Sequence, residues 1–208
     1  YPGASVSSIP QDLKFAGETT ETFIGDNTVI RESVTISRGT VDKHKTVIGK
    51  NCLLMANVHI AHDCIVGNNC IFANAVQVAG HVTIEDWAII GGASALHQFV
   101  KVGAHVMLSG GSLVRKDIPP FTKAAREPLT YAGINSVGLR RRGFTAEKIS
   151  EIQEIYRYIF LKGLNNSKAL DAVEKEIAPS AERDYIVQFI RNSERGVMKG
   201  FSKSTSFE

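Results

Sequence analysis

Cysteine is scarce in this 208-residue chain. The three present, Cys52, Cys64 and Cys70, are an odd number and too few for a disulfide framework, which suits a reducing compartment. Long apolar runs are missing too. None approaches the roughly 18 residues a spanning helix needs, and the opening YPGASVSS is neither basic nor followed by a secretory apolar core. No membrane span is expected, and a cytoplasmic location is. Charge of one sign is not in excess: the formal net charge is +3, so nothing calls for a nucleic-acid partner. With 43% hydrophobic and 22% charged residues, disorder and collagen-like architecture are excluded, and the length allows one large or two small domains. The chain opens at Tyr1 rather than Met, already inside a repeat, so a preceding N-terminal portion is expected.

The mild charge is unevenly spread. Residues 1–118 carry 9 Lys/Arg against 10 Asp/Glu, whereas 119–208 carry 15 against 11, including Arg140, Arg141 and Arg142. The basic half suits an acidic partner or a phosphate, and Arg140 and Arg142 are the expected contacts of such a partner.

Aliphatic or aromatic residues recur every six positions from Ile24 through Ile30, Ile36, Ile48, Leu54, Ile60, Val66, Phe72, Val78, Ile84, Ile90, Leu96 and Val102 to Leu108 and Val114, interrupted at Asp42. Four residues after each stands a small or β-branched residue, among them all three cysteines. A period of six fits neither a helix nor one long strand, but it fits short strands joined by tight turns. Three such faces close a coil of about eighteen residues, a parallel β-helix of triangular section. Both sets of residues should point inward, leaving the cysteines as inert core filler. Gly25, Gly49, Gly67, Gly91 and Gly103 directly follow the comb and are expected to serve the turns through their conformational freedom.

Residues 7–23 and 39–47 break the comb and read as loops thrown out from the β-helix, which occupies 1–118. A linker and a small α-helical domain fill 119–208. One helix carries the stripe Ile149, Ile152, Ile155, Tyr156, Ile159 and Phe160 behind the N-cap candidate Thr145, and two more lie around 167–177 and 180–195. The closing SKSTSFE reads as frayed.

Stacked coils bring residues 18 apart into register, about one strand spacing of 4.8 Å from each other. His62 therefore neighbours Gly80, and Gly80 neighbours Gln98; Asp63 neighbours His81, and His81 neighbours Phe99. With His97 this corner gathers three histidines, a carboxylate and a glycine. Imidazole titrates near neutrality and suits a general base, and the glycine leaves a backbone N–H open to a developing oxyanion. The spacing suits acyl transfer. Histidines in this number are also what zinc takes in trimeric β-helices of the carbonic anhydrase kind, although His59 and His62 need not converge on one ion. A regular β-helix can equally be a binding surface, as in ice-binding proteins, but no threonine ladder is visible.

The segments DLKFAGE (12–18), IRESVTISRGT (30–40), NVHIAHDC (57–64), VAGHV (78–82), IIGGASALHQFVKVGAHVM (89–107), IPPF (118–121) and GINSVGLRRRGF (133–144) closely resemble the UDP-N-acetylglucosamine O-acyltransferases that begin lipid A biosynthesis. The resemblance implies a left-handed β-helix, a homotrimer with sites between subunits, a 3-hydroxyacyl chain delivered by acyl carrier protein to the 3-position of a UDP-amino sugar, and no metal or cofactor. It implies His62 as general base, Asp63 as its orienting partner and the Gly80 N–H as oxyanion donor. Asp12 and Lys14 match positions that contact sugar and phosphate. His81, His97 and Gln98 match positions around the sugar, pyrophosphate and acyl chain, Asn135 and Arg141 those that grip the nucleotide, and Gly110 the one that limits acyl length. Two positions depart from the pattern: Ser37 stands where many members carry histidine, and Val137 where a carboxylate is common.

Overall fold

The computed structural model describes residues 1–200, and SKSTSFE falls outside them. The comb becomes three flat parallel faces wound as a left-handed β-helix, most strands only two residues long. Six strands, from Ser5–Ser8 to Leu113–Val114, form the first face; five, from Glu21–Ile24 to Lys101–Val102, form the second. The third face starts at Val29–Ile30. From Ile36 to Val114 the comb residues are no more than 2% exposed, and the small residues behind them fill the axis. Ile24, by contrast, is 37% exposed and Ile30 half-buried, because their strands are the outermost of their faces.

The register measures the two interruptions. Val47 pairs with Ile65 and Thr83 with Lys101, each 18 residues on. Thr35 pairs with His59, 24 on, and Ser5 with Thr35, 30 on. One hexapeptide is thus added in the second case and two in the third. The loops are narrower than 7–23 and 39–47: Ser8, past a bulge at Ser7, and residues 21–23 and 45–47 stay in the ladders of Ser5–Ser8, Glu21–Ile24 and Lys45–Ile48. What leaves the coil is 9–20 and 38–44.

The turn chemistry also differs from expectation. The left-handed backbone sits three residues past the comb, at Asn27, Asn51, Asn57, Asp63, Asn69, Ala75, His81, Trp87, Ala93, Phe99 and His105, with φ between 54° and 66°. Asn and Asp tolerate this region best after glycine. The glycines right after the comb have ordinary φ and serve packing instead: a Cβ on Gly49 would lie 2.5 Å from the Gly67 carbonyl oxygen, and one on Gly103 2.5 Å from the Pro120 nitrogen.

The β-structure does not stop at residue 118. Thr122–Ala125 continues the third face beside Met107–Leu108, turns into antiparallel Thr130–Ile134, and receives Lys199–Gly200 from the far end of the chain. Between lie α1 (Ser136–Arg141), which the periodicity did not announce, α2 (Ala146–Leu161), α3 (Asn166–Glu176) and α4 (Ala181–Arg191). Thr145 caps α2 as expected, accepting the Lys148 N–H at 3.3 Å. The buried Tyr156 hydroxyl donates to the Pro120 carbonyl at 2.6 Å, tying α2 to the end of the coil.

Candidate active site

The corner between first-face strand His59–Ile60 and second-face strand Ile65–Val66 carries Ala61, His62, Asp63 and Cys64. Left-handed φ at Asp63 tucks its carboxylate beneath the loop 38–44, where it is wholly buried. His62 Nδ1 lies 2.9 Å from Asp63 Oδ2 with the imidazole 14% exposed. The same Oδ2 accepts the Thr40 hydroxyl at 2.6 Å; Oδ1 accepts the backbone N–H of Thr40 at 3.0 Å and of Lys43 at 3.2 Å. Burial pushes the Asp63 carboxyl up, but the donors Thr40, His62 and Lys43 outweigh it and hold the group below its ordinary value. An ionised Asp63 accepts an N–H from Nδ1, and in the neutral ring that tautomer makes Nε2 the free acceptor.

One coil further, the His81 N–H donates to the His62 carbonyl at 3.0 Å, as the register requires. A Cβ on Gly80 would lie 2.6 Å from both Cε1 and Nε2 of His62, so the imidazole needs glycine there. Gly80 stands two residues past the comb, where the corner amides of the regular coil are not used by its own ladders. Those of Lys50, Asn68 and Ala104 are taken by the side chains of Asn68, Asp86 and Glu85, whereas among the described residues the Gly80 N–H, like those of Asn74 and Gln98 at the same position, donates to nothing. His81 stacks on Phe99 at 4.4 Å and stands edge-on to His62 at 5.0 Å. Its Nδ1 lies 3.0 Å from Asp42 Oδ2, without the alignment of a hydrogen bond.

Two cavities flank this corner. One, of about 360 Å³, includes His59, His62, Gly80 and Leu96 in its lining. The other, of about 300 Å³, is bounded by Asp12, Lys14, Glu18, Thr40, Asp42 and His81 among others. His62, Asp63, Gly80, His81, Asp12 and Lys14 are thus brought together within one chain. His97 and Gln98 are exposed one coil on, His97 Nδ1 lying 3.2 Å from the Gln98 carbonyl. Gly110 lies at the corner between third and first faces. Asn135 and Arg141 lie elsewhere, at the junction with the helices. Asn135 is buried and caps α1; its Oδ1 accepts the Gly138 N–H at 3.2 Å and its Nδ2 donates to the His105 carbonyl at 2.9 Å, so within this chain its side chain already has partners. Arg141 is exposed.

Arg142 corrects an expectation. Instead of facing a partner it lies 5.1 Å over the Trp87 ring and donates to the Trp87 carbonyl and His105 Nδ1, joining α1 to the β-helix. Of the departures, Ser37 is buried at the end of its strand and Val137 is exposed. Sequence reasoning missed Thr40, Lys43 and Asp42 as neighbours of the histidines; the break of the comb at Asp42 was the available signal.

His62, Asp63 and His81 offer ligand atoms within 4.8 Å of one another. Both Asp63 oxygens, however, already accept N–H and O–H donors, an arrangement that holds a proton on His62 rather than a cation. The cysteines are core filler: Cys52, Cys64 and Cys70 donate to the carbonyls of Gly67, Ala79 and Glu85 at 3.1–3.2 Å, and burial pushes the Cys64 thiol up to about 12.

Residues 117–198 match the family described as Udp N-acetylglucosamine O-acyltransferase, domain 2, and residues 45–80 match bacterial transferase hexapeptide repeats. An acyl-[acyl-carrier-protein]–UDP-N-acetylglucosamine O-acyltransferase of Thiobacillus denitrificans is 46% identical over 196 residues, 94% of this chain and 76% of that protein. Its counterpart from Myxococcus xanthus is 47% identical over 197 residues with the same coverage. The crystal structure of the UDP-N-acetylglucosamine acyltransferase from Bacteroides fragilis superposes with a TM-score of 0.93 at 53% identity, covering 95% of this chain and 78% of the other. The Acinetobacter baumannii structure gives 0.91 at 46% identity, covering 95% and 77%. With this likeness running along both the coil and the helices, the chain belongs to the UDP-N-acetylglucosamine O-acyltransferase family.

Proposed function

We propose that the corner built on His62 transfers a 3-hydroxyacyl group from acyl carrier protein to the 3-position of UDP-N-acetylglucosamine, the first step of lipid A biosynthesis. The observation that carries this reading is the buried Asp63 carboxylate 2.9 Å from His62 Nδ1, with the opposite ring edge, Nε2, packed against Gly80, whose N–H has no partner among the described residues. His62 Nε2 removes the proton of the sugar hydroxyl as its oxygen attacks the thioester carbonyl. The tetrahedral oxyanion takes the Gly80 N–H. Collapse breaks the C–S bond, and the imidazolium returns its proton to the departing carrier thiolate. Asp12, Lys14 and His81 line the cavity on the sugar side of the corner.

Asn135 and Arg141 suggest completion by a second copy: they belong to the helix junction rather than to the His62 corner, on whose next coil His97 and Gln98 sit, and a C3 trimer would bring the helix junction of one subunit to the corner of the next. The exposed Arg140, rather than Arg142, is the candidate contact for the acidic carrier. A cytoplasmic setting fits a carrier-borne donor, and among the described residues no helix is long and apolar enough to cross a membrane.

Replacing His62 with Ala is expected to lower turnover about 10²- to 10⁴-fold in a folded enzyme. Near-normal transfer from carrier thioester to sugar nucleotide by that variant would remove the mechanism.

A further inference from the structure

We infer that Thr40 is a positioning residue for the base: its hydroxyl holds the Asp63 carboxylate and, through it, the proton on His62 Nδ1. This rests on the reading of His62 as base. A carboxylate has roughly four lone-pair directions, and Asp63 fills them with four donors, three of them from Thr40 and Lys43. Those residues belong to the hexapeptide added to the regular coil, so the insertion that breaks the comb at Asp42 is what encloses the carboxylate.

The enclosure is itself anchored. The Val41 N–H donates to Glu18 Oε1 at 3.0 Å, Lys43 Nζ donates to the Asp63 carbonyl at 3.1 Å, and the Asp63 N–H donates to the buried Thr46 hydroxyl at 2.9 Å. Thr40 is 4% exposed, and its Oγ1 also receives the Asp42 N–H at 3.4 Å.

Thr40 O–H and His62 N–H share one oxygen, Oδ2. The hydroxyl withdraws charge from the atom that the imidazole uses, so removing it has two effects: Asp63 can turn, and Oδ2 becomes a stronger partner for a protonated imidazole. Turning lowers kcat, and stronger pairing moves the acid limb of the rate profile upward. The other titratable groups facing the pair are His81, whose Nδ1 is 4.0 Å from Oδ2, Asp42 behind it, the Lys43 ammonium, His59 and the buried Cys64 thiol. None of them donates to Oδ2 as the chain stands, so none replaces the hydroxyl without movement.

The test compares wild type with Thr40→Val, Thr40→Ser and His62→Ala, measuring kcat and KM for sugar nucleotide and acyl-carrier thioester, and kcat/KM against pH. Thr40→Val should lose roughly 10- to 100-fold in kcat, the scale on which outer partners of ligating imidazoles act, with KM values little changed. Its acid limb should move to higher pH by about 0.5 or more. Thr40→Ser, which keeps the hydroxyl, should restore both. A Thr40→Val enzyme with wild-type kcat, or with an acid limb unmoved or moved to lower pH, overturns the inference, and so does a Ser variant as impaired as Val, since that would make the methyl group the part that matters. If Thr40→Val does not fold, Thr40→Ala carries the same expectation and an unshifted limb counts equally against it. An active His62→Ala enzyme would instead sink the base reading, a result distinct from any Thr40 outcome.

Discussion

His105 shows how one side chain acquires properties its sequence neighbours do not suggest. It sits at a left-handed corner, stacked 6.4 Å from Trp87 and 5.6 Å from Phe121, with Phe144 edge-on at 5.2 Å. Burial first, and then the Arg142 guanidinium, push its pKa down to about 4, against a smaller opposing effect of Asp86. The folded form therefore holds a neutral ring while the unfolded chain takes a proton below about 6.5. Stability from this site is present above pH 6.5 and lost as pH falls toward 4. Asp63 acts in a lower window: its depressed pKa contributes stability above the ordinary carboxylate value that disappears as pH falls below it. Replacing His105 with Phe, a residue the coil already accepts at Phe99 and Phe121 with positive φ, should keep the stacking and flatten the fall in urea midpoint between pH 7 and 5. Equal falls in variant and wild type would show that other groups set that slope. His62, Asp63, Gly80 and His81 were legible as a cluster because a strict 18-residue register fixes which residues touch. Thr40 was not, since it reaches Asp63 across 23 positions through an added hexapeptide.

Among the elements, the corner recurs most often, and its requirements are separable by position. Asn27, Asn51, Asn57 and Asn69 occupy the left-handed site that glycine was expected to serve, and they were the signal for it. Ala75 and Ala93 sit in the same conformation without a side chain that eases it. Ala93→Asn should therefore raise stability by about 0.5–1 kcal/mol, a rise of roughly 1–4 °C in Tm at fixed protein concentration. An unchanged or lower Tm would mean that the exposed Cβ of Ala93 packs against something outside this chain. At the exposed third-to-first corner, a Cβ on Gly110 would lie 3.1 Å from the Gly92 carbonyl oxygen, so any side chain there needs a shift of a few tenths of an ångström. If this corner measures the acyl chain, wild type should prefer 3-hydroxyacyl donors of about fourteen carbons or more, and Gly110→Met about ten, each buried methylene being worth about 0.8 kcal/mol. A ladder of acyl-carrier thioesters reads this directly, and unchanged selectivity in the variant would place the ruler elsewhere.

For the whole molecule, the proposed assembly follows from a mismatch within one chain. Its His62 corner and its Asn135–Arg141 junction lie on different edges of the triangular rod, and Phe99 and Leu113 expose 48% and 45% of their surface. Sedimentation equilibrium at micromolar concentration should give three times the chain mass. A monomer that still transferred acyl groups would show that one chain completes the site alone.

Period, register and helix caps were set by the sequence alone, because they depend on residues within one coil or one turn: a six-residue comb admits only short strands and tight corners, and Thr145 caps α2 by local geometry. The contacts that cross an insertion or join the helices to the coil were decided only in three dimensions. Arg142 on Trp87 and His105, Asn135 on His105, the extension of the third face beyond residue 118 and the closure of 38–44 over Asp63 are of this kind. Each depends on where an added or terminal segment comes to rest. Packing against the finished rod determines that, and no period in the chain encodes it.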